Sequence, residues 1–221
     1  TAFEGSDRGV PSLVYLVVIA TGTEDTTALE AGLKSIEAFS VDYLAGPPDV
    51  TDDEMEVLAE WVKAQRAIYR PVKLVKPWKT AGSDDMGVIE LDETGMMNAA
   101  GGVTAAEYCA RMAGILAGIP MGMSATYAAL PELTAVTART TEEQTAAIQA
   151  GKLILIHDGL QAKIARAVNS LTTIPENGKE DWSRIKIVEG MDLISYYLRT
   201  TIENEYLGRY PNTYDNKQIL V

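Results

Sequence analysis

Residues 122–126 come closest to a catalytic motif in this 221-residue sequence. They read Gly-Met-Ser-Ala-Thr, which begins like the Gly-x-Ser-x-Gly turn that exposes a nucleophilic serine in hydrolases, but Thr126 stands where the second glycine is required. A serine mechanism would also need His157, the one histidine, as its general base. His157 follows the apolar run 153–156 and precedes a turn, a position typical of a structural histidine. The sequence therefore predicts no Ser-His-Asp site.

Three other features could react or bind a ligand, and each has a simpler structural interpretation. The turn 21–25 follows an apolar run, but it lacks the glycines and the lysine of a phosphate-binding loop, and its carboxylates would repel phosphate. Cys109 lies on a helix of small residues without a basic neighbour, as expected of a packed thiol. The acidic residues within 52–56 surround a helix start, where they favour the helix dipole. We therefore predict no catalytic residue, no cofactor and no metal site.

The charge of the chain disfavours two classes of partner. There are 31 acidic and 19 basic residues, which give a formal net charge of -12. This charge opposes binding to phosphate backbones and to anionic membranes. The apolar run 13–20 is much shorter than the roughly 20 residues that span a bilayer. We expect a folded protein that neither binds nucleic acid nor inserts into a membrane, and whose single Cys109 forms no internal disulfide.

The first half of the chain alternates between predicted strands and helices. The run 13–19 is rich in β-branched residues and does not alternate with polar ones, which predicts a central strand covered on both faces. A Thr-x-x-Glu capping box at 51–54 precedes a run with helical spacing. Alternation of this kind favours an α/β fold, with a mainly parallel sheet and flanking helices. The predicted strands are 13–19, 41–44, 72–75 and 87–91, and the predicted helices are 23–39 and the run from 52 that ends at Pro71.

The second half changes character and predicts a smaller α+β region. The turn at Asp158 and Gly159 lies between two apolar runs, which indicates a hairpin and therefore antiparallel pairing. We expect a core domain at 1–138 and a C-terminal domain at 139–221. Small residues along the helix 105–119 would let a neighbouring backbone approach closely. The other predicted elements are helices at 141–150 and 191–206 and strands at 153–157, 163–168 and 184–188.

A tyrosine-rich segment follows the last predicted helix. Tyr206, Tyr210 and Tyr214 fall within nine positions, near Arg209. Tyrosine and arginine are enriched where proteins contact one another. The segment is therefore either a contact surface or an ordinary loop packed on its own domain, and its composition does not separate the two.

Several segments of the second half resemble contractile phage tail sheath proteins of the PBSX-type prophage group. The similar segments follow one another in order and cover most of residues 105–217, whereas residues 1–100 match only in general pattern. They read AGILAGIP at 113–120, MSATY at 123–127, GKLILIHDG at 151–159, IARAVNSLTT at 164–173, IKIVEGMDLI at 185–194 and YLGRYPNTYDNK at 206–217.

This resemblance implies a structural protein. Sheath subunits polymerise around a tail tube, assemble in the bacterial host cytoplasm as part of the virion tail, and contract to drive the tube through the host envelope. The implied partners are further copies of the subunit, the tail tube protein, and the baseplate and tail terminator proteins. The inner α/β region of such subunits has a subtilisin-like fold, here without a catalytic triad. The alternatives are the sheath of a bacterial contractile injection system and an α/β enzyme with an unrecognised site.

The resemblance also implies where subunits touch. In the family, extended terminal arms add strands to a neighbour's sheet, and we expect one such arm to begin at 218–221 within a longer polypeptide. Arg166 and Asp192 lie in matched segments and are candidates for ion pairs between elements or between subunits. The predicted inter-subunit contact residues are Arg166, Asp192, Tyr210, Tyr214, Asn216, Lys217, Gln218, Ile219, Leu220 and Val221.

Overall fold

The computed structural model describes residues 5–19, 26–174, 176 and 178–207. Among these residues, no helix combines the length and the hydropathy needed to cross a membrane. The helices are α1 (Thr27–Ile36), α2 (Asp52–Ala67), α3 (Ala105–Gly118), α4 (Thr141–Gln149) and α5 (Ile185–Ile202), with a 3-10 turn at Glu180–Ser183 and a π-helical turn at Glu203–Leu207. The strands are β1 (Tyr43–Ala45), β2 (Lys73–Pro77), β3 (Val88–Leu91), β4 (Met96–Asn98), β5 (Gly101–Val103), β6 (Ala129–Leu130), β7 (Leu133–Ala135), β8 (Lys152–Leu153), β9 (Leu155–His157) and β10 (Ala162–Ile164).

Four parallel strands in the order β1-β2-β3-β8 form the central sheet. Both faces of this sheet are covered, as is usual for parallel sheets. Leu74 and Val88 pack with α1 and α2 on one face, whereas Val75 and Ile89 pack with α3 on the other. The predicted α/β sheet with flanking helices is therefore confirmed. Strand β8 comes from beyond residue 138, and the division of the chain at that residue stays a prediction.

Three helices begin at the same motif, Thr-x-x-Glu. Thr51, Thr104 and Thr140 each accept a hydrogen bond from the backbone N–H of the glutamate three residues later. That glutamate accepts the N–H of the threonine in return, so two unpaired donors of the first turn are satisfied. These hydrogen bonds lower the pKa of Glu107 and of Glu143. Among the acidic residues within 52–56, Glu54 completes the first of these caps.

Two antiparallel sheets complete the fold. The sheet β6-β10-β9 contains the predicted hairpin, in which Ala162 pairs with His157 and Asp158 accepts the N–H groups that close the turn. The sheet β5-β4-β7 was not predicted. Its strands are three residues long, and Gly101 and Gly102 supply no side chain to a hydrophobic alternation.

Residues 13–19 do not form the predicted central strand. They lie beside β1 across a shared groove, and no backbone hydrogen bond within the described part of the chain joins the two. Val17 and Ile19 pack against the cluster of α1 and α2, whereas Leu16 and Val18 are 82% and 89% exposed. The prediction was wrong because an apolar run was taken to mean burial on both sides, whereas here only Val17 and Ile19 are partly covered.

Residues 184–188 begin α5 instead of forming the predicted strand. Arg184 makes one antiparallel bridge to Val168, and the helix starts at the next residue. Ile185 and Val188 are buried while Ile187 is exposed, which is the three-residue spacing of a helix face. The four residues Ile-Lys-Ile-Val fit both the two-residue period of a strand and the 3.6-residue period of a helix. The pattern therefore could not distinguish the two.

The end of α3 lies against the backbone of residues 9 and 10, as its small residues predict. A Cβ atom on Gly118 would lie 2.8 Å from the carbonyl oxygen of Gly9 and 2.9 Å from the Cα of Val10. Two arginines hold the same N-terminal segment: Arg8 donates to the carbonyl of Thr126 (3.0 Å), and Arg111 donates to the carbonyl of Gly5 (2.5 Å). The absence of a side chain at Gly118 therefore permits this contact.

Replacing Gly118 by alanine should destabilise the protein. The added methyl group would overlap backbone atoms that cannot move aside alone, and overpacking of this kind costs about 1–3 kcal/mol. The free energy of unfolding measured in urea should fall by that amount. Gly122→Ala is the matched control, because no heavy atom lies within 4 Å of the added Cβ there. Equal stability of the two variants would contradict the close approach.

Candidate functional site

The residues whose side chains could react make structural contacts instead. His157 lies exposed at the end of β9, and its Nδ1 accepts the N–H of Gly159 at 3.1 Å. The hydroxyl oxygen of Ser124 accepts the N–H of Thr126 at 3.1 Å, closing a local turn. Cys109 is buried, and burial raises the pKa of its thiol, which opposes nucleophilic behaviour. Within the described ranges, no group of three or more His, Cys, Asp or Glu side chains could hold a metal.

A cluster of charged side chains joins α5 to the central sheet through Asp192. Its carboxylate accepts two hydrogen bonds from the guanidinium of Arg66, at 3.1 and 3.0 Å. The same carboxylate lies 2.9 Å from the ammonium of Lys73, whose side chain is only 4% exposed. Two cations from α2 and β2 thus hold one anion of α5, in the two-bond geometry that gives arginine–carboxylate pairs their strength.

Glu189, one turn earlier on α5, makes a second set of polar contacts. Its carboxylate accepts a hydrogen bond from the hydroxyl of Tyr43 in β1 and lies 2.5 Å from the ammonium of Lys186. Lys186 also donates to the carbonyl of Ile119 at the end of α3 (2.9 Å). Burial, followed by the negative charge of Glu189, raises the pKa of Tyr43 well above its usual value. The first half of α5 is therefore attached to β1, β2, α2 and α3.

These contacts leave α5 with an unusual distribution of side chains. Lys186 and Glu189 point toward the protein beside the buried Ile185 and Val188. Residues 193–199 are instead exposed in succession, on every side of the helix. This exposed stretch contains large apolar side chains, among them Ile194 and Leu198, which are 62% and 61% exposed.

A second apolar surface lies at the open edge of the central sheet. Strand β1 is the edge strand there, and residues 13–19 run beside it. The groove between them has a volume of about 610 Å³ and is bounded by α1 and by the small residues Ala110, Ala113, Gly114 and Ala117 of α3. An edge strand next to an apolar groove is a surface where another strand can pair.

The structure separates the predicted contact residues. Asp192 forms ion pairs with Arg66 and Lys73 of the same chain, so it links elements within one subunit. Arg166 is exposed and lines a pocket with Arg184 and Asp181, and within the described part of the chain no ion pair engages its side chain. Their contacts with other subunits stay predictions. Outside the described residues lie Tyr210, Tyr214, Asn216, Lys217, Gln218, Ile219, Leu220 and Val221.

Sequence reasoning missed the cations that hold α5. Arg66 and Lys73 are 126 and 119 positions from Asp192, so no local pattern connects them. One signal was available: Lys186, Glu189 and Asp192 recur every three residues in an otherwise apolar run, which places them along one side of a helix.

Comparison with known proteins identifies the family. The chain is 31% identical over 205 residues to the tail sheath protein of Clostridium phage phiCD119, a match that covers 93% of this chain and 56% of that protein. The chain belongs to the tail sheath protein family. No family model matches it. This match confirms the resemblance seen in residues 105–217. Because the family is structural, it also confirms the prediction that the chain is not an enzyme.

Solved structures share the fold. The sheath tail protein of Desulfitobacterium hafniense has a TM-score of 0.76 at 24% identity, over 90% of this chain and 47% of that one. The contracted helical sheath of the anti-feeding prophage has a TM-score of 0.62 at 13% identity, over 88% and 55%. The baseplate structure of the anti-feeding prophage matches with a TM-score of 0.66 at 14% identity, over 91% of this chain and 56% of that one. This tail sheath chain thus spans about half the length of the proteins it matches.

Replacing Asp192 by asparagine should release α5 from the sheet. Lys73 would remain buried without a carboxylate, so the free energy of unfolding should fall by about 2–4 kcal/mol, near the lower part of the range for broken buried pairs. Urea unfolding measures the loss. Glu203→Gln is the control in the same region: its pair with Arg199 (3.3 Å) is half-exposed, and we expect a change below about 0.5 kcal/mol. A similar loss in both variants would show that Asp192 has no special role.

Proposed function

We propose that this chain is the structural subunit of a contractile phage tail sheath. In this proposal the subunits polymerise around a tail tube in the bacterial host cytoplasm, become part of the virion tail, and contract to drive the tube through the host envelope. The observation that carries the proposal is the 31% identity to a phage tail sheath protein, which extends over 93% of the chain.

The architecture suits a subunit that moves as one body. The central sheet is covered on both faces. The polar contacts of α5 attach it to two strands of that sheet, β1 and β2, and to the helices α2 and α3. Packed interiors and paired buried charges resist gradual deformation. We propose that contraction repositions whole subunits, while flexible segments between them preserve the connections.

Further copies of the chain are the first proposed partners. The matched anti-feeding prophage structures are a helical sheath in its contracted state and a baseplate, which supports contacts with copies and with baseplate proteins. The tail tube and tail terminator proteins complete the proposed set. We place strand addition by a neighbour's arm at the open edge of β1, where the apolar groove begins.

A contractile injection system is the second candidate. The likeness to the anti-feeding prophage sheath and baseplate favours it. The two candidates share the mechanics of contraction and differ in genomic context. The higher sequence identity to the phage protein places the phage tail first.

Electron microscopy of the full-length gene product that contains these residues tests the proposal. At high concentration the purified polypeptide should form hollow, striated tubes in negative stain. We expect this because contacts between identical subunits should be sufficient for a sheath to assemble. The 221-residue chain, which corresponds to about half of its relatives, should form only small particles beside it. A full-length product that stays a compact monomer under all conditions would contradict the sheath function.

A further inference from the structure

Residues 13–19 have the side-chain alternation of a β-strand. Alternate side chains of this run contact the cluster of α1 and α2 or the ring of Phe39, and these are Tyr15, Val17 and Ile19. The side chains between them point the other way, and Leu16 and Val18 are almost fully exposed. A period of two residues is the geometry of a strand, in which successive side chains lie on opposite faces.

The main chain of this run has no strand paired with it. Within the ranges that the structure describes, no backbone hydrogen bond involves residues 13–19, although β1 borders the same groove. A row of unpaired N–H and C=O groups on an extended segment is a template on which another strand can pair. The main-chain chemistry of the run therefore specifies a β-strand as its partner.

The run is held in place near both of its ends. Before its start, Val10 lies so close to the end of α3 that a Cβ atom on Gly118 would be 2.9 Å from its Cα. At its other end, a Cβ atom on Gly32 of α1 would be 2.8 Å from the Cγ2 atom of Ile19. A segment that is already positioned loses little conformational freedom when a partner binds. Residues 13–19 can therefore pair without refolding.

The length of the matched proteins indicates where the partner strand lies. This chain spans about half of those proteins, so a comparable length of polypeptide in such a gene product lies outside it. A strand in that part is tethered to residues 13–19, and a tether gives effective concentrations of about millimolar order. A second copy would instead have to approach against the repulsion between two chains that each carry a formal charge of -12.

From these observations we infer that residues 13–19 are a strand of a sheet completed by the part of the same subunit outside these 221 residues. The partner is a β-strand, and the layer to which it belongs covers Leu16 and Val18. This contact lies within one subunit, so it is distinct from the strand addition between subunits proposed for the edge of β1. It does not depend on the proposed function.

Hydrogen–deuterium exchange of the full-length gene product tests this inference. The product is kept below the concentration at which it assembles, and sedimentation velocity verifies that it is monomeric. The amides of residues 13–19 should exchange at least about 100-fold more slowly in this product than in the 221-residue chain, because a paired N–H exchanges only when the sheet opens.

Three results would overturn the inference. One is equally fast exchange of these amides in the monomeric product and in the 221-residue chain. Another is slow exchange already in the 221-residue chain, which would show that its own residues cover the run. The third is slow exchange only after the product assembles, which would assign the partner strand to a neighbouring subunit.

The double variant Leu16→Lys, Val18→Lys should lower the protection in the full-length product at least tenfold, because two charges would be buried under the covering layer. Ile194→Lys, Leu198→Lys is the matched control. It adds the same charges to exposed apolar side chains of α5 and should leave the exchange of residues 13–19 unchanged. Urea unfolding checks that both variants are folded. A loss of protection in both variants, or in neither, would contradict the inference.

The exchange measurement and the tube assay fail independently. Tubes from a product whose monomer exchanges rapidly at residues 13–19 would reject this inference and leave the sheath function standing. Slow exchange in a monomeric product that never forms tubes would support the inference and reject the sheath function.

Discussion

Two carboxylates on α5, the buried Glu189 and the partly buried Asp192, require partners, and much of the structure follows from where those partners lie. A carboxylate removed from water is stable only when cations or hydrogen-bond donors replace the lost hydration. The donors come from β1 and the cations from α2, β2 and α5 itself. Pairing therefore fixes both the position of α5 and its rotation about its own axis.

The two halves of α5 have different surroundings. The first half buries Ile185 and Val188, as most helices on a protein surface bury an apolar stripe, and it buries the carboxylate of Glu189 beside them. In the second half residues 193–199 are exposed in succession, so that side chains such as Ile194 and Leu198 remain in contact with water. Exposed apolar side chains gain no hydrophobic free energy, so the first half of α5 provides most of the attachment of this helix.

Solved sheath structures share this fold at 13% to 24% sequence identity. The residue types that could react have structural tasks: His157 and Ser124 accept hydrogen bonds in turns, and Cys109 fills part of the core. An α/β sheet is a frequent host of enzymes, but a fold does not imply a function. Here the side chains that matter are those that set the shape and the exposed surfaces.

The sequence by itself determined the local elements and the family. The Thr-x-x-Glu box at 51–54, the strands near 72–75 and 87–91, the turn at Asp158 and the sheath-like segments of 105–217 all depend on neighbours in the chain, so their patterns could be read directly. The tertiary structure decided that residues 13–19 lie unpaired, that α5 begins at Ile185, and that Asp192 meets Arg66 and Lys73. These outcomes depend on partners distant in sequence, because strand pairing and the pairing of buried charges are satisfied across space, and no local period records which residues will supply them.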